Sequence, residues 1–412
     1  MSKLSLSVLR LPNFRRLLAA RMSVTMAMQA QAVIVGWQVY SITKSPFMLG
    51  LAGLAEALPA LLAGIVAGHV VDAVGRPAVI YRFCVGMMLL NTFTFLLLAG
   101  DMVPAPGGSL LPWIFGGVAM SGVLRSLTAP ASFSILSLVV TRAELPAGAA
   151  WISSGWQMAA VTGPAVAGLL YGGYGARGAW LLPTLLLIFA FVTVVFLRPK
   201  PHPRGEHRVE SAVKSIHAGW KFIVGHPMML SMMALDMFAV LFGGAVSMLP
   251  AYADQILHVG AEGLGALRAG PALGGIVTGL YLALQPMKKL SAKRMMWAVA
   301  GFGVCMIGFG LSTSFYLSLA LLVLSGIFDN VSAVMRSVLM QILTPDDMRG
   351  RVSSINTMFV ISSNEIGAFE SGTAARLLGL VPSVVAGGVM TLLVVAFIAT
   401  ASPRFRKMVV DG

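Results

Sequence analysis

The sequence predicts an all-α membrane protein, with twelve transmembrane helices in two pseudo-symmetric six-helix bundles. Three observations carry this expectation. Hydrophobic residues fill 57% of the 412 positions and charged residues only 11%, against ~25% charged in soluble domains. The apolar residues are gathered into twelve runs, each close to the ~20 residues that a spanning helix needs. The third observation is that the two halves of the chain repeat one another.

The spans are expected at 17–40, 47–72, 78–99, 110–138, 147–171, 178–197, 227–253, 262–286, 292–313, 316–342, 352–376 and 381–401. Strands of a membrane barrel would instead alternate polar and apolar residues over ~10 positions. The first 16 residues are basic and polar, with no early apolar region or small-residue cleavage site, so span one is expected to be retained. Span six stops at Arg198-Pro-Lys-Pro-His-Pro, whose prolines disfavour continuing a helix. Residues 1–197 are thus expected to form the first bundle, 198–226 a cytoplasmic linker and 227–412 the second bundle. Within the linker, Lys214 to Val224 places Ile216, Trp220 and Ile223 on one face, the pattern of a short surface helix.

Ser121-Gly-Val-Leu-Arg125-Ser-Leu-Thr-Ala129 in span four aligns with Ser325-Gly-Ile-Phe-Asp329-Asn-Val-Ser-Ala333 in span ten, 204 residues later. Glu56 to Gly68 in span two likewise aligns with Arg268 to Gly279 in span eight, allowing one gap. Two aligned stretches in the same order indicate a six-plus-six duplication.

The net charge of +14 raises the question of nucleic acid, and its distribution answers it. With these spans, 22 of the 29 basic residues fall on one face, including those before span one, in the linker and after span twelve. Lys44, Arg177, Arg268 and Arg376 fall on the other, and Arg21, Arg125 and Arg336 lie in or beside spans. The positive-inside rule then puts both termini and the linker in the cytoplasm. Lipid bilayer, rather than nucleic acid, is the expected surrounding.

No residue pattern points to an enzyme or a cofactor. There is no Walker A loop, the six histidines lack ligand spacing, and the glycine-rich stretches lie inside apolar spans. No metal site is expected. Cys84 and Cys305 both sit in apolar spans, which disfavours a disulfide framework.

Gly68-His-Val-Val-Asp72-Ala-Val-Gly75-Arg76-Pro-Ala-Val-Ile-Tyr-Arg82 resembles the GxxxDxxGRxxxxxR signature of the major facilitator superfamily. Gly163-Pro164-Ala-Val-Ala167-Gly168 in span five is similar to the GPxxGG element of its drug:proton antiporters, with alanine for the first glycine of the final pair. Thr344-Pro345-Asp346-Asp347-Met348-Arg349-Gly350-Arg351-Val352, the acidic helix after it, and Ala212 to Val224 resemble the enterobactin-exporter branch. The resemblance implies a bacterial inner-membrane transporter, a monomer working on a small-molecule substrate such as a siderophore or drug, with protons as the coupling ion. It also implies that Gly68, Asp72, Gly75 and Arg76 form a cytoplasmic latch, and that helices 1, 4, 7 and 10 line a central cavity. The equivalent loop at Leu284 to Lys289 lacks the acidic residue, so a single latch is expected.

Ionisable groups inside a bilayer are functional candidates by default. Asp329 is the leading proton-coupling candidate, with Arg125 as its counterpart and partner in a pair broken and remade during transport. A static structural ion pair is the other reading of the same two residues. Glu56, Glu365 and Glu370 are further proton candidates, through a raised carboxyl pKa if Glu56 and Glu370 lie close. Equally, they pair with Arg376 or Arg336. Asp236, Gln29, Gln31, Asn330, Arg336 and Asn364 are candidates for cavity walls and cargo contacts, although Asp236 lies near enough to the cytoplasmic end to face interfacial water. The 26 methionines suit adaptable apolar walls as well as ordinary packing. The expected function is proton-coupled export by alternating access. Uptake or uniport of a small solute, and a non-transporting membrane receptor, are the competing expectations.

Overall fold

The computed structural model describes residues 8–99, 109–141, 143–199, 212–285, 289–345, 348–406 and 408–411. It is helical almost throughout: α1 (Pro12–Thr43), α2 (Pro46–Val74), α3 (Pro77–Ala99), α4 (Leu111–Val139) and α5 (Leu145–Val195) come first. They are followed by α6 (Ala212–Val224), α7 (Pro227–Phe242), α8 (Leu249–Gln255), α9 (Gly260–Leu284), α10 (Ala292–Leu311), α11 (Phe315–Leu343), α12 (Arg349–Leu378), α13 (Leu380–Ala401) and α14 (Pro403–Arg406). Two three-residue strands, β1 (Lys289–Ser291) and β2 (Val409–Asp411), pair antiparallel and tie the start of α10 to the C-terminal tail.

Among the described residues, nine helical segments are long and apolar enough to cross a membrane. One of them, α5, supplies two of the twelve expected spans. Its 51 residues would reach about 75 Å if straight, far beyond the ~30 Å of a hydrocarbon core. The break comes at Gly175, whose φ of 67° and ψ of −168° lie outside the helical region. α9 and α12 correspond to spans eight and eleven, and α12 is the less apolar of the two. α12 carries Arg351, Glu365, Glu370 and Arg376 among many serines and threonines.

Span seven, expected over 227–253, is one membrane-length segment, Pro227–Gln255, with a break in its helix. α7 ends at Phe242, a 3₁₀ turn follows at Ala245–Met248, and α8 resumes the path. The reason is packing. A β-carbon on Gly243 would fall 2.4 Å from the Phe302 ring, and one on Gly244 would fall 2.7 Å from Ser371 Oγ. The glycines let the chain turn where neighbouring helices leave no room for side chains.

The chain divides into two compact units, Met1–Ile42 with Ala55–Arg208, and Thr43–Leu54 with Val209–Gly412. In the first, Phe14, Leu17, Tyr81, Cys84, Ile135 and Leu187 are nearly or fully inaccessible and anchor one apolar core. The second core is rich in methionine: Met229, Met232, Met233, Met295, Met296, Met335 and Met340 are all buried in it. These seven methionines serve as core packing.

The duplication reappears as a shared helix crossing. In the first unit, a β-carbon on Gly122 would fall 2.1 Å from the Glu56 carbonyl oxygen, so α4 meets α2 backbone to backbone. In the second, a β-carbon on the aligned Gly326 would fall 2.0 Å from the Pro271 carbonyl oxygen, where α11 meets α9. Small residues permit such approach where apolar lipid gives helices little other reason to associate.

α6 is not a free surface helix. Ile223 is fully buried, Trp220 stacks on Phe359 of α12 at 5.6 Å, and Gly219 lies against Ile355 and Arg351. Ile216 is described in backbone only.

Candidate functional site

The Gly122 crossing places Arg125 one turn further along α4, beside the α2 carbonyls. Within the first unit, Arg125 Nη1 pairs with Glu56 Oε1 at 3.0 Å, both side chains being partly exposed. Glu56 therefore has an arginine partner other than the expected Arg376 or Arg336. The aligned positions of the second repeat carry the charges reversed, as Asp329 and Arg268.

In the second unit, Asp236 of α7 and Arg336 of α11 form an ion pair whose side chains are 6% and 10% exposed. Sequence reading left Asp236 facing either a cavity or interfacial water, whereas it is buried against an arginine. Continuous burial of this pair is costly unless the charges meet, and breaking it would strand a charge. Asp329 lies seven residues before Arg336 on the same helix and lines a small pocket together with Asp236, Ser332, Val299 and Phe302. Asp329 itself is exposed.

The amide candidates are largely engaged as ties between or within helices. Gln31 Nε2 donates to Thr92 Oγ1 of α3. Asn330 Nδ2 donates to the Gly275 carbonyl of α9 at 2.7 Å. Asn364 Nδ2 donates to the Val360 carbonyl of its own helix at 2.8 Å and is exposed. Gln29 is half-buried, its β-carbon facing Gly163 at the crossing of α1 and α5. There a β-carbon on Gly163 would fall 2.7 Å from the Met26 carbonyl, and Gly163, Pro164 and Gly168 are all buried. The span-five motif is thus a packing device between these two helices.

On α12, Glu365 is half-buried and its Oε2 would lie 3.8 Å from a β-carbon on Gly53. Glu370 Oε2 accepts a long hydrogen bond from Ser371 Oγ at 3.5 Å. Arg376 lies over the Phe47 ring, 5.0 Å from its centre. The same end of the second unit holds Lys44 and Asp254 paired at 2.9 Å.

Gly68 and Asp72 are described in backbone only, so the latch contact of the Asp72 side chain lies outside the described residues. Gly75 takes φ 62° and its N–H bonds the Val71 carbonyl, ending α2 in the left-handed turn that favours glycine. Arg76 is exposed, and Pro77 opens α3. Sequence reading did not single out what Arg82 does. Its Nε donates to the Val194 carbonyl at 3.0 Å and its Nη2 to the Leu197 carbonyl at 2.5 Å. Arg16 and Asn13 reach the Phe196 and Arg198 carbonyls, so three side chains satisfy the open end of α5. The periodic arginine in the motif was visible, but a partner over 110 residues away was not.

Helices of membrane-crossing length and apolarity define a multi-pass membrane protein, and the comparisons give its class as a transporter. The model of the Major Facilitator Superfamily matches residues 17–368, and the chain belongs to that family. This is a family of transporters, not of enzymes. Over 400 residues the chain is 26% identical to the Enterobactin exporter EntS of Shigella boydii serotype 4, covering 95% of this chain and 92% of that protein. The exporter of the same name from Escherichia coli gives the same figures. Among solved structures, the nucleoside transporter NupG superposes with a TM-score of 0.73 at 12% identity, covering 95% of this chain and all of that one. A bacterial homologue of the iron transporter ferroportin gives 0.69 at 16%, covering 94% and 98%. At these identities the structures speak for the fold alone.

Proposed function

We propose that the protein exports a small amphipathic molecule, a siderophore or a drug, from the cytoplasm by proton-coupled alternating access. The observation that carries the export reading is the full-length similarity to proteins named enterobactin exporters. Ion pairs held within apolar bundles support coupling, because a proton arriving on a membrane carboxylate shifts the relative stability of two conformations. Asp329 is the coupling carboxylate in this reading, with Glu56, Glu365 and Glu370 as the other acidic groups able to take part. Arg125 acts through Glu56, and Gln29 contributes to the wall of α1.

The protein works as a monomer in the bacterial inner membrane with both termini cytoplasmic, and residues 198–226 link bundles 1–197 and 227–412. Gly68, Asp72, Gly75 and Arg76 form its cytoplasmic latch. The test is counterflow in liposomes with enterobactin and a macrolide, repeated with and without a pH gradient. Cargo-dependent counterflow that a pH gradient drives uphill is expected. Absence of counterflow with either compound overturns the assignment of cargo class, and indifference to the gradient removes the proton.

A further inference from the structure

The Asp236–Arg336 pair carries more polar chemistry than an isolated structural bridge needs. Asp329, Ser332 and Arg336 sit at positions i, i+3 and i+7 of α11 and so share one face. Asp236 meets that face from α7, while α10 contributes the apolar Val299 and Phe302. α9 meets α11 at this level through uncharged groups, the Gly275 carbonyl and the Thr278 hydroxyl. Two carboxylates, Asp236 and Asp329, line the pocket, and Arg336 is paired with the first, leaving one negative charge uncompensated within this group.

Ser332 supplies an independent observation. It is 2% exposed, lines the pocket, and its hydroxyl has no hydrogen-bond partner among the described residues. Other hydroxyls in these helices bond to a carbonyl of their own helix, as Ser325 does to Leu322 at 2.7 Å and Thr278 to Gly274 at 3.1 Å. A buried hydroxyl left unsatisfied is destabilising, and a bound occupant would recover that loss. The space is of the order of a single water.

We infer that Asp329, Asp236 and Ser332, with Arg336 as internal counter-ion, form a binding site for one monovalent cation, supplied as a proton or as sodium. A single positive charge neutralises the trio, and the Ser332 hydroxyl oxygen and the Asp329 carboxylate are the atoms free to receive it. Exposure of Asp329 gives the cation its route, and burial of Asp236 sets the floor of the site. This deepens the coupling reading above by naming the site, and its test reads binding instead of transport.

The full-length protein, purified in detergent, is measured in two arms. One follows proton uptake after a pH drop in weak buffer, and the other follows binding of radioactive sodium at alkaline pH. In one arm, wild type takes up about one more cation per chain than Asp329→Asn, and Ser332→Ala binds about tenfold more weakly. Which arm responds identifies the cation. If Asp329→Asn fails to elute as a folded species, Ser332→Ala decides alone, since it removes only a hydroxyl. Wild type and variants indistinguishable in both arms overturn the site. Cargo counterflow without any ion gradient is run alongside: its persistence then leaves the transport reading standing, and its loss brings down that reading separately.

Discussion

Replacing Asp236 with asparagine leaves the Arg336 guanidinium, 10% exposed, without its counter-ion. Removing one partner of a buried pair costs about 3–5 kcal/mol. Asp329 reduces that cost. It lies seven residues away on the same helix, about 10 Å of axial rise, and at an effective dielectric constant near 20 a charge at that distance contributes roughly 1.5 kcal/mol. The expected destabilisation of Asp236→Asn is therefore about 1.5–3.5 kcal/mol, rising towards the full value when Asp329→Asn is added. Replacing both members of the pair by apolar residues, Asp236→Leu with Arg336→Met, is expected to fall within about 1 kcal/mol of wild type, since no charge is stranded. Reversible unfolding in mixed micelles reads all four proteins. A single variant as stable as wild type, or a double replacement as unstable as the single one, would refute the claim that these charges are buried and interdependent.

Further outcomes follow from particular contacts. Gly326→Ala and Gly122→Ala are each expected to lose about 1–3 kcal/mol, because the new methyl meets backbone oxygen at 2.0 and 2.1 Å. Gly279→Ala, with nothing within 4 Å of the added carbon, should be neutral or gain up to about 1 kcal/mol by the same unfolding in mixed micelles. Arg82→Lys loses the two-pronged contact to the Val194 and Leu197 carbonyls and is expected to cost about 2 kcal/mol, with faster hydrogen exchange at the end of α5. Trp220→Ala removes the stacking on Phe359 and should cost about 1–2 kcal/mol, read as loss of amide protection confined to Ala212–Val224.

Hydrophobic run length, the repeat of Ser121–Ala129 in Ser325–Ala333, and the superfamily signature at Gly68–Arg82 determined the helical membrane class and the family from the sequence alone. Such features are local or periodic, and lipid imposes the helix on any apolar run of sufficient length. Which charge meets which was decided only by tertiary structure. Arg125 found Glu56 across the Gly122 crossing, Arg336 found Asp236, and Arg82 found carbonyls at the end of α5. The break at Gly243–Gly244 was equally hidden, because it answers to Phe302 and Ser371, residues far along the chain. An ion pair depends on how two helices cross, and a crossing is fixed by the small residues on both partners, which no single stretch of sequence contains.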